Sequence, residues 1–150
     1  MIAKLGVRAV LIKRETTLLH VASSLPVYVC SFADYSMLFK ASQCVVHHGG
    51  VATLMQVVAA GKPSLILPRT LDQFDQAARA KKLGIAEVLP FKKMSEIELL
   101  RGIARVLASP RGDRFEKLKS SLHDEQGVFI ASTKVSQLLN KLDLKHDCLS

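Results

Sequence analysis

Residues 45–53 read VVHHGGVAT, and the helical-looking run that follows stops at AGKP, residues 60–63. A short apolar stretch turning through two glycines into a periodic run is the pattern of a strand passing into a helix. Gly61 suits the helix C-cap and Pro63 the stop, so the helix is expected over 51–60. At its start the N–H groups of residues 50–53 have no partners within the helix, and with the helix dipole they favour an anion. Gly49 and Gly50 would let a phosphate come close to the backbone, and Thr53 could add a hydroxyl. The short motif alone fits an unliganded strand-to-helix turn equally well. His47 and His48 make a poor metal pair, because neighbours at a strand end point to opposite faces. His20, His123 and His146 supply no third ligand at a metal-site spacing.

Working outward, GVRAVLIK (6–13), LPVYVC (25–30), SLILP (64–68) and the weaker AEVLP (86–90) read as further strands around 44–47. Helical spacing lies between them at 36–41, 51–60 and 73–83. After Pro90 only helices are expected, over 95–108, 112–123 and 128–142. Ser95 and Glu98 have the spacing of a capping box. Alternating strands and helices imply an α/β protein, a Rossmann-like parallel sheet with helices on both faces. The expected domain is 1–142, followed by a flexible tail over 143–150.

The 150 residues suit one domain, and 49% apolar with 23% charged residues is globular composition. No apolar run reaches the roughly 18 residues of a membrane helix, and Lys4, Arg8 and Lys13 interrupt any secretory signal. A cytoplasmic location is therefore expected. Cys30, Cys44 and Cys148 are widely spaced and contain no C-x-x-C pair; Cys30 and Cys44 are expected to pack as small hydrophobes. The net charge of +8 could serve a polyanion or an acidic membrane surface. The basic residues are dispersed, however, and 5% aromatics without Trp argue against nucleic acid. There is no G-x-S-x-G elbow for a nucleophilic triad.

In a parallel α/β sheet, ligands gather beyond the C-terminal strand ends. Three segments fall there: HHGG (47–50), RTLDQ (69–73) and SFADY (31–35). Asp72 and Gln73 could hold sugar hydroxyls, although taken alone Asp72 reads more simply as a helix N-cap.

Taken together, HHGGVATLMQVVAAGKPSLILPRTLDQFDQAARAKKLG (47–84) resembles the donor-binding signature of GT-B glycosyltransferases. It is most similar to the bacterial and sterol-type branch of the UDP-glycosyltransferase superfamily. SFADYSMLF (31–39) resembles that family's aromatic segment. The resemblance runs from about Leu5 to Leu89 and more loosely beyond. It implies that His48, Gly49, Gly50, Val51, Ala52 and Thr53 hold a donor diphosphate, that Gln56 meets the ribose, and that Asp72 and Gln73 hold the transferred sugar. Phe32, Tyr35 and Met37 would lie near the base. No metal or other cofactor is implied, the UDP-sugar being the donor substrate of a hexosyltransferase.

Three departures from the family pattern stand out. Ala52 replaces a glycine or asparagine, Asp34 a proline, and Met37 a tryptophan. The resemblance covers only the C-terminal half of a two-domain fold, and implies that a first strand is missing between GVRAVLIK and CVVHH. That loss should leave two strand edges unpaired or force them together. The implied partners are a nucleotide sugar and an N-terminal acceptor-binding domain or subunit, with a lipid or membrane-surface acceptor left open. That absent half would carry the catalytic base, so no catalytic residue is assigned here. The alternatives are a non-catalytic nucleotide-sugar module and a basic protein that binds polyanions or membrane surfaces.

Overall fold

The computed structural model describes residues 6–12, 26–109, 112–123 and 126–146. Its elements are β1 (Ala9–Ile12), β2 (Val27–Cys30), α1 (Tyr35–Ala41), β3 (Val45–His47), α2 (Val51–Ala59), β4 (Ser64–Ile66), α3 (Leu71–Lys82), β5 (Ala86–Val88), a 3₁₀ turn (Phe91–Lys93), α4 (Glu96–Ala108), α5 (Asp113–His123) and α6 (Gln126–His146). All five expected strands are present and all strand pairs are parallel. The last helix runs past its expected end near 142. Cys148 and residues 147–150 of the expected tail lie outside the described residues. The chain divides into two compact units at Lys119/Ser120, the first holding the strands and the second the end of α5 and all of α6.

The sheet is split. Among the described residues β1 pairs only with β2, while β3, β4 and β5 form a separate three-stranded sheet. Of the two outcomes expected for a missing central strand, the edges thus stay apart rather than closing on each other. The two pieces also differ in packing. Leu65 and Ile66 on β4 are 0% exposed. Leu65 packs with Leu89 and Val106 on one side of the core, and Val45 with Phe39 and Val57 on another. Val10 and Leu11 on β1 and Tyr28 and Val29 on β2 remain exposed.

Helix ends follow local chemistry. Gly61, at φ +69°, closes α2: its N–H donates to Val58 O and that of Lys62 donates to Val57 O. This is the paired bonding of a Schellman cap, and Gly84 repeats it after α3. Ser95 caps α4 by accepting from the Glu98 N–H. The reciprocal half of the expected capping box does not form, because the Glu98 carboxylate instead accepts from Arg101 at 2.7 Å. Gly102, inside α4, lies against Leu65; a Cβ there would sit 3.0 Å from Leu65 Cδ2. Its missing side chain lets α4 approach the sheet closely. Cys30 and Cys44 are half-buried free thiols rather than fully buried ones, and burial pushes the Cys44 thiol pKa up.

Candidate anion and sugar site at the strand ends

β3 ends at His47, and its alternation decides what the two histidines do. His47 faces inward and is 9% exposed, while His48 lies on the surface. His47 Nδ1 accepts the Gly49 N–H at 3.2 Å, which puts the ring proton on Nε2. That Nε2 is buried without a partner. Burial first, and then neighbouring His48, push the His47 pKa down to about 4. His47 is therefore a neutral structural residue that shapes the turn. Among the described residues no cluster of three or more His, Cys, Asp or Glu has metal-site geometry.

The turn itself needs glycine. Gly49 has φ +95°, and a Cβ there would stand 2.8 Å from Ile66 Cγ2 and 3.5 Å from Gln73 O. This close approach presses the HHGG turn against the first turn of α3. Gly50 is the N-cap of α2 and has no side chain to bond the helix amides. No acidic residue occupies the first turn of α2. A Cβ on Gly50 would fall 2.7 Å from His48 Nε2, so the His48 ring lies over the start of this helix. The result is a row of uncapped amides beside an imidazole, an arrangement suited to an anion.

The RTLDQ segment meets this turn. Thr70, not Asp72, is the N-cap of α3. Gln73 Oε1 accepts from Arg69 N at 2.9 Å and Thr70 N at 3.4 Å, so the side chain is held as a cap. Asp72 Oδ1 accepts the Thr70 hydroxyl at 2.6 Å. That bond chiefly holds the Asp72 carboxyl below the usual range, with smaller contributions from the Gln73 backbone and from His48. Arg69 stacks over Phe91, 4.6 Å from the ring centroid, which ties the start of α3 to the loop after β5.

The third segment is less converged. Phe32 is 82% exposed in the loop after β2, and Met37 is exposed on α1. Tyr35 stacks on Phe39 with centroids 4.9 Å apart and belongs partly to the core. Asp34 is directed at α1, where it accepts from both N and Oγ of Ser36. Gln56 is exposed one turn beyond Ala52 on α2, and Val51 and Ala52 are exposed in its first turn. The sequence pointed to the 69–73 segment and to His47 but gave no individual structural role to Arg69, Thr70 or His47. The Thr70–Gln73 spacing was a readable signal, since it is that of a capping box.

Residues 8–139 match the family described as erythromycin biosynthesis protein CIII-like, C-terminal domain. The chain belongs to this family. It is 33% identical over 98 residues to O-mycaminosyltylonolide 6-deoxyallosyltransferase of Streptomyces fradiae, a match covering 64% of this chain and 23% of that protein. Sterol 3-beta-glucosyltransferase of Kluyveromyces lactis is 31% identical over 110 residues, covering 71% of this chain and 9% of that one. Among solved structures, spinosyn forosaminyltransferase SpnP superposes with a TM-score of 0.77 at 19% identity, covering 92% of this chain and 36% of that one. Glycosyltransferase VinC in complex with DTDP gives 0.62 at 26% identity, covering 68% and 27%.

The fold is that of the C-terminal half of a GT-B glycosyltransferase. The sterol-type branch is only a partial match, the domain family being the erythromycin type. The chain spans about a quarter of the Streptomyces relative and about a third of SpnP. Among the described residues no helix is long and apolar enough to cross a membrane.

Proposed function

We propose that this domain binds the donor of a glycosyl transfer, a UDP-sugar. The diphosphate would lie on the start of α2, from His48 to Thr53, with Gln56 on the ribose. Asp72 and the Gln73 amide N–H groups would hold hydroxyls of the sugar. Phe32 and Met37 are the exposed members of the base-side set. The carrying observation is that the uncapped α2 N-terminus, with His48 folded over Gly50, follows a turn packed against the first turn of α3, which carries Asp72 and Gln73. In the complete reaction the leaving diphosphate is stabilised here, while a base outside this set activates the acceptor hydroxyl. The methyl of Ala52 takes up more of the seat than a glycine would and lacks the hydrogen bonds of an asparagine amide.

Calorimetry with UDP-glucose, UDP and DTDP tests the reading. Binding heat is expected from the nucleotide sugar, with affinity about 10-fold weaker in His48→Ala or Asp72→Ala. No heat from folded protein with any of the three would sink the donor site. Binding to heparin that is steeply salt-dependent and indifferent to both substitutions would favour the polyanion reading, which rests on the net charge of +8.

A further inference from the structure

Asp72 is exposed in the first turn of α3, where an unrestrained carboxylate would pass through several rotamers in water. It is restrained: Thr70 Oγ1 donates to its Oδ1 at 2.6 Å. That is the length of a charge-assisted O–H···O⁻ bond, roughly twice as strong as one between neutral groups. Thr70 is also the N-cap of α3 and shares a capping box with Gln73. A capping hydroxyl serves as an acceptor, so its single proton is left over for another partner. Here that proton goes to Asp72. Glycine ranks beside threonine as an N-cap residue, so the helix start alone does not require this side chain. The surrounding backbone is held as well. Arg69 N–H donates to Gln73 Oε1 at 2.9 Å, and the Arg69 guanidinium lies 4.6 Å from the Phe91 ring centroid. From the other side the Gly49 turn packs so closely that a Cβ there would stand 3.5 Å from Gln73 O.

We propose that Thr70 is a positioning residue for donor-sugar recognition, its hydroxyl holding the Asp72 carboxylate in one orientation before the sugar arrives. This rests on the donor reading above and adds to it the residue that makes Asp72 selective. A carboxylate has about four acceptor positions, so the Thr70 bond leaves room for a sugar hydroxyl. Binding to a side chain that is already ordered avoids the entropy lost when a mobile one is fixed. The branched Cβ of threonine narrows its own rotamer choice and so keeps the hydroxyl aimed. The diphosphate lies on α2 and makes no use of this bond. Thr70 therefore sets the ratio of UDP-sugar to UDP affinity and not the affinity for UDP itself.

Calorimetry with UDP-glucose and with UDP on the 150-residue chain, paired with an NMR titration of the Asp72 carboxyl, tests this. Thr70→Gly and Thr70→Val both remove the proton, the first keeping a competent helix start and the second the side-chain shape. Each should weaken UDP-glucose about 5-fold while changing UDP by less than about 2-fold. Each should also raise the Asp72 pKa, which the Thr70 bond chiefly lowers. Thr70→Ser keeps the proton and should restore both readings. UDP-glucose affinity that survives in Thr70→Gly and Thr70→Val, while Asp72→Ala lowers it, would overturn the positioning role and leave the donor site standing. An equal loss for UDP, an unmoved Asp72 pKa, or a Thr70→Ser variant no better than Thr70→Gly would overturn it too. If Asp72→Ala has no effect, or the parent chain gives no heat with UDP-glucose, the sugar reading falls and this role falls with it.

Discussion

The two pieces of the sheet are built from similar residues and end in different states. β3–β4–β5 carries helices on its faces, and the Leu65–Ile66 pair is wholly enclosed. β1–β2, with the equally apolar AVLI and VYVC, keeps its middle residues exposed. Hydrophobic sequence therefore selects a strand but does not by itself bury one. Burial needs a neighbouring strand and a covering helix, and an isolated two-stranded ribbon is marginal.

Substitutions can break or sharpen that contrast, beginning in the enclosed piece. Leu65→Ala should cost about 4 kcal/mol in urea unfolding, the usual range for a buried leucine with little room to relax. Gly49→Ala should cost a comparable amount, about 3–4 kcal/mol. It combines a left-handed backbone with a Cβ 2.8 Å from Ile66 Cγ2.

His47 gives the enclosed piece a pH dependence. Its folded pKa near 4 lies below the ordinary value of 6.5, so the unfolded chain takes up the proton first as pH falls. Stability is complete above about 6.5 and declines toward pH 4, by roughly 3 kcal/mol in all. Unfolding titrations between pH 7 and 4 should show this slope, and His47→Gln should flatten it.

Gly61→Ala should cost about 1 kcal/mol, since the φ of +69° is strained but the nearby Lys119 side chain can move. In the open ribbon, Val10→Ala should cost less than about 0.5 kcal/mol by the same unfolding assay. A cost as large as that of Leu65→Ala would show that the ribbon is covered in solution.

Much of this was legible in the sequence. The strand and helix order, the HHGG turn and the Gly61 cap rest on local backbone demands that few residue types meet. Adjacent histidines had to point to opposite sides, but which one is buried depends on Val45, Phe39 and Val57, contributed by three separate elements. Gln73 reads as a free sugar ligand, yet its carbonyl oxygen is bonded to Arg69 and Thr70 N–H groups. Side chains with two competing partners choose between them in three dimensions, as Glu98 also does in turning to Arg101. The same holds for Tyr35, whose ring lies against Phe39 one helical turn on.

Leu65 and Ile66 are consecutive, and alternation sends one to each face of β4. Each is met there by a glycine: Leu65 by Gly102 of α4, and Ile66 by Gly49 of the turn. These four residues act as a gauge block held between two bare backbones, with a helix on one jaw and the anion-facing loop on the other. Thickening either jaw by a methyl group displaces the block toward the opposite one. Gly102→Ala, at a distance from every candidate ligand group, should accordingly move the Gly49 amide resonance and misalign the loop without touching it.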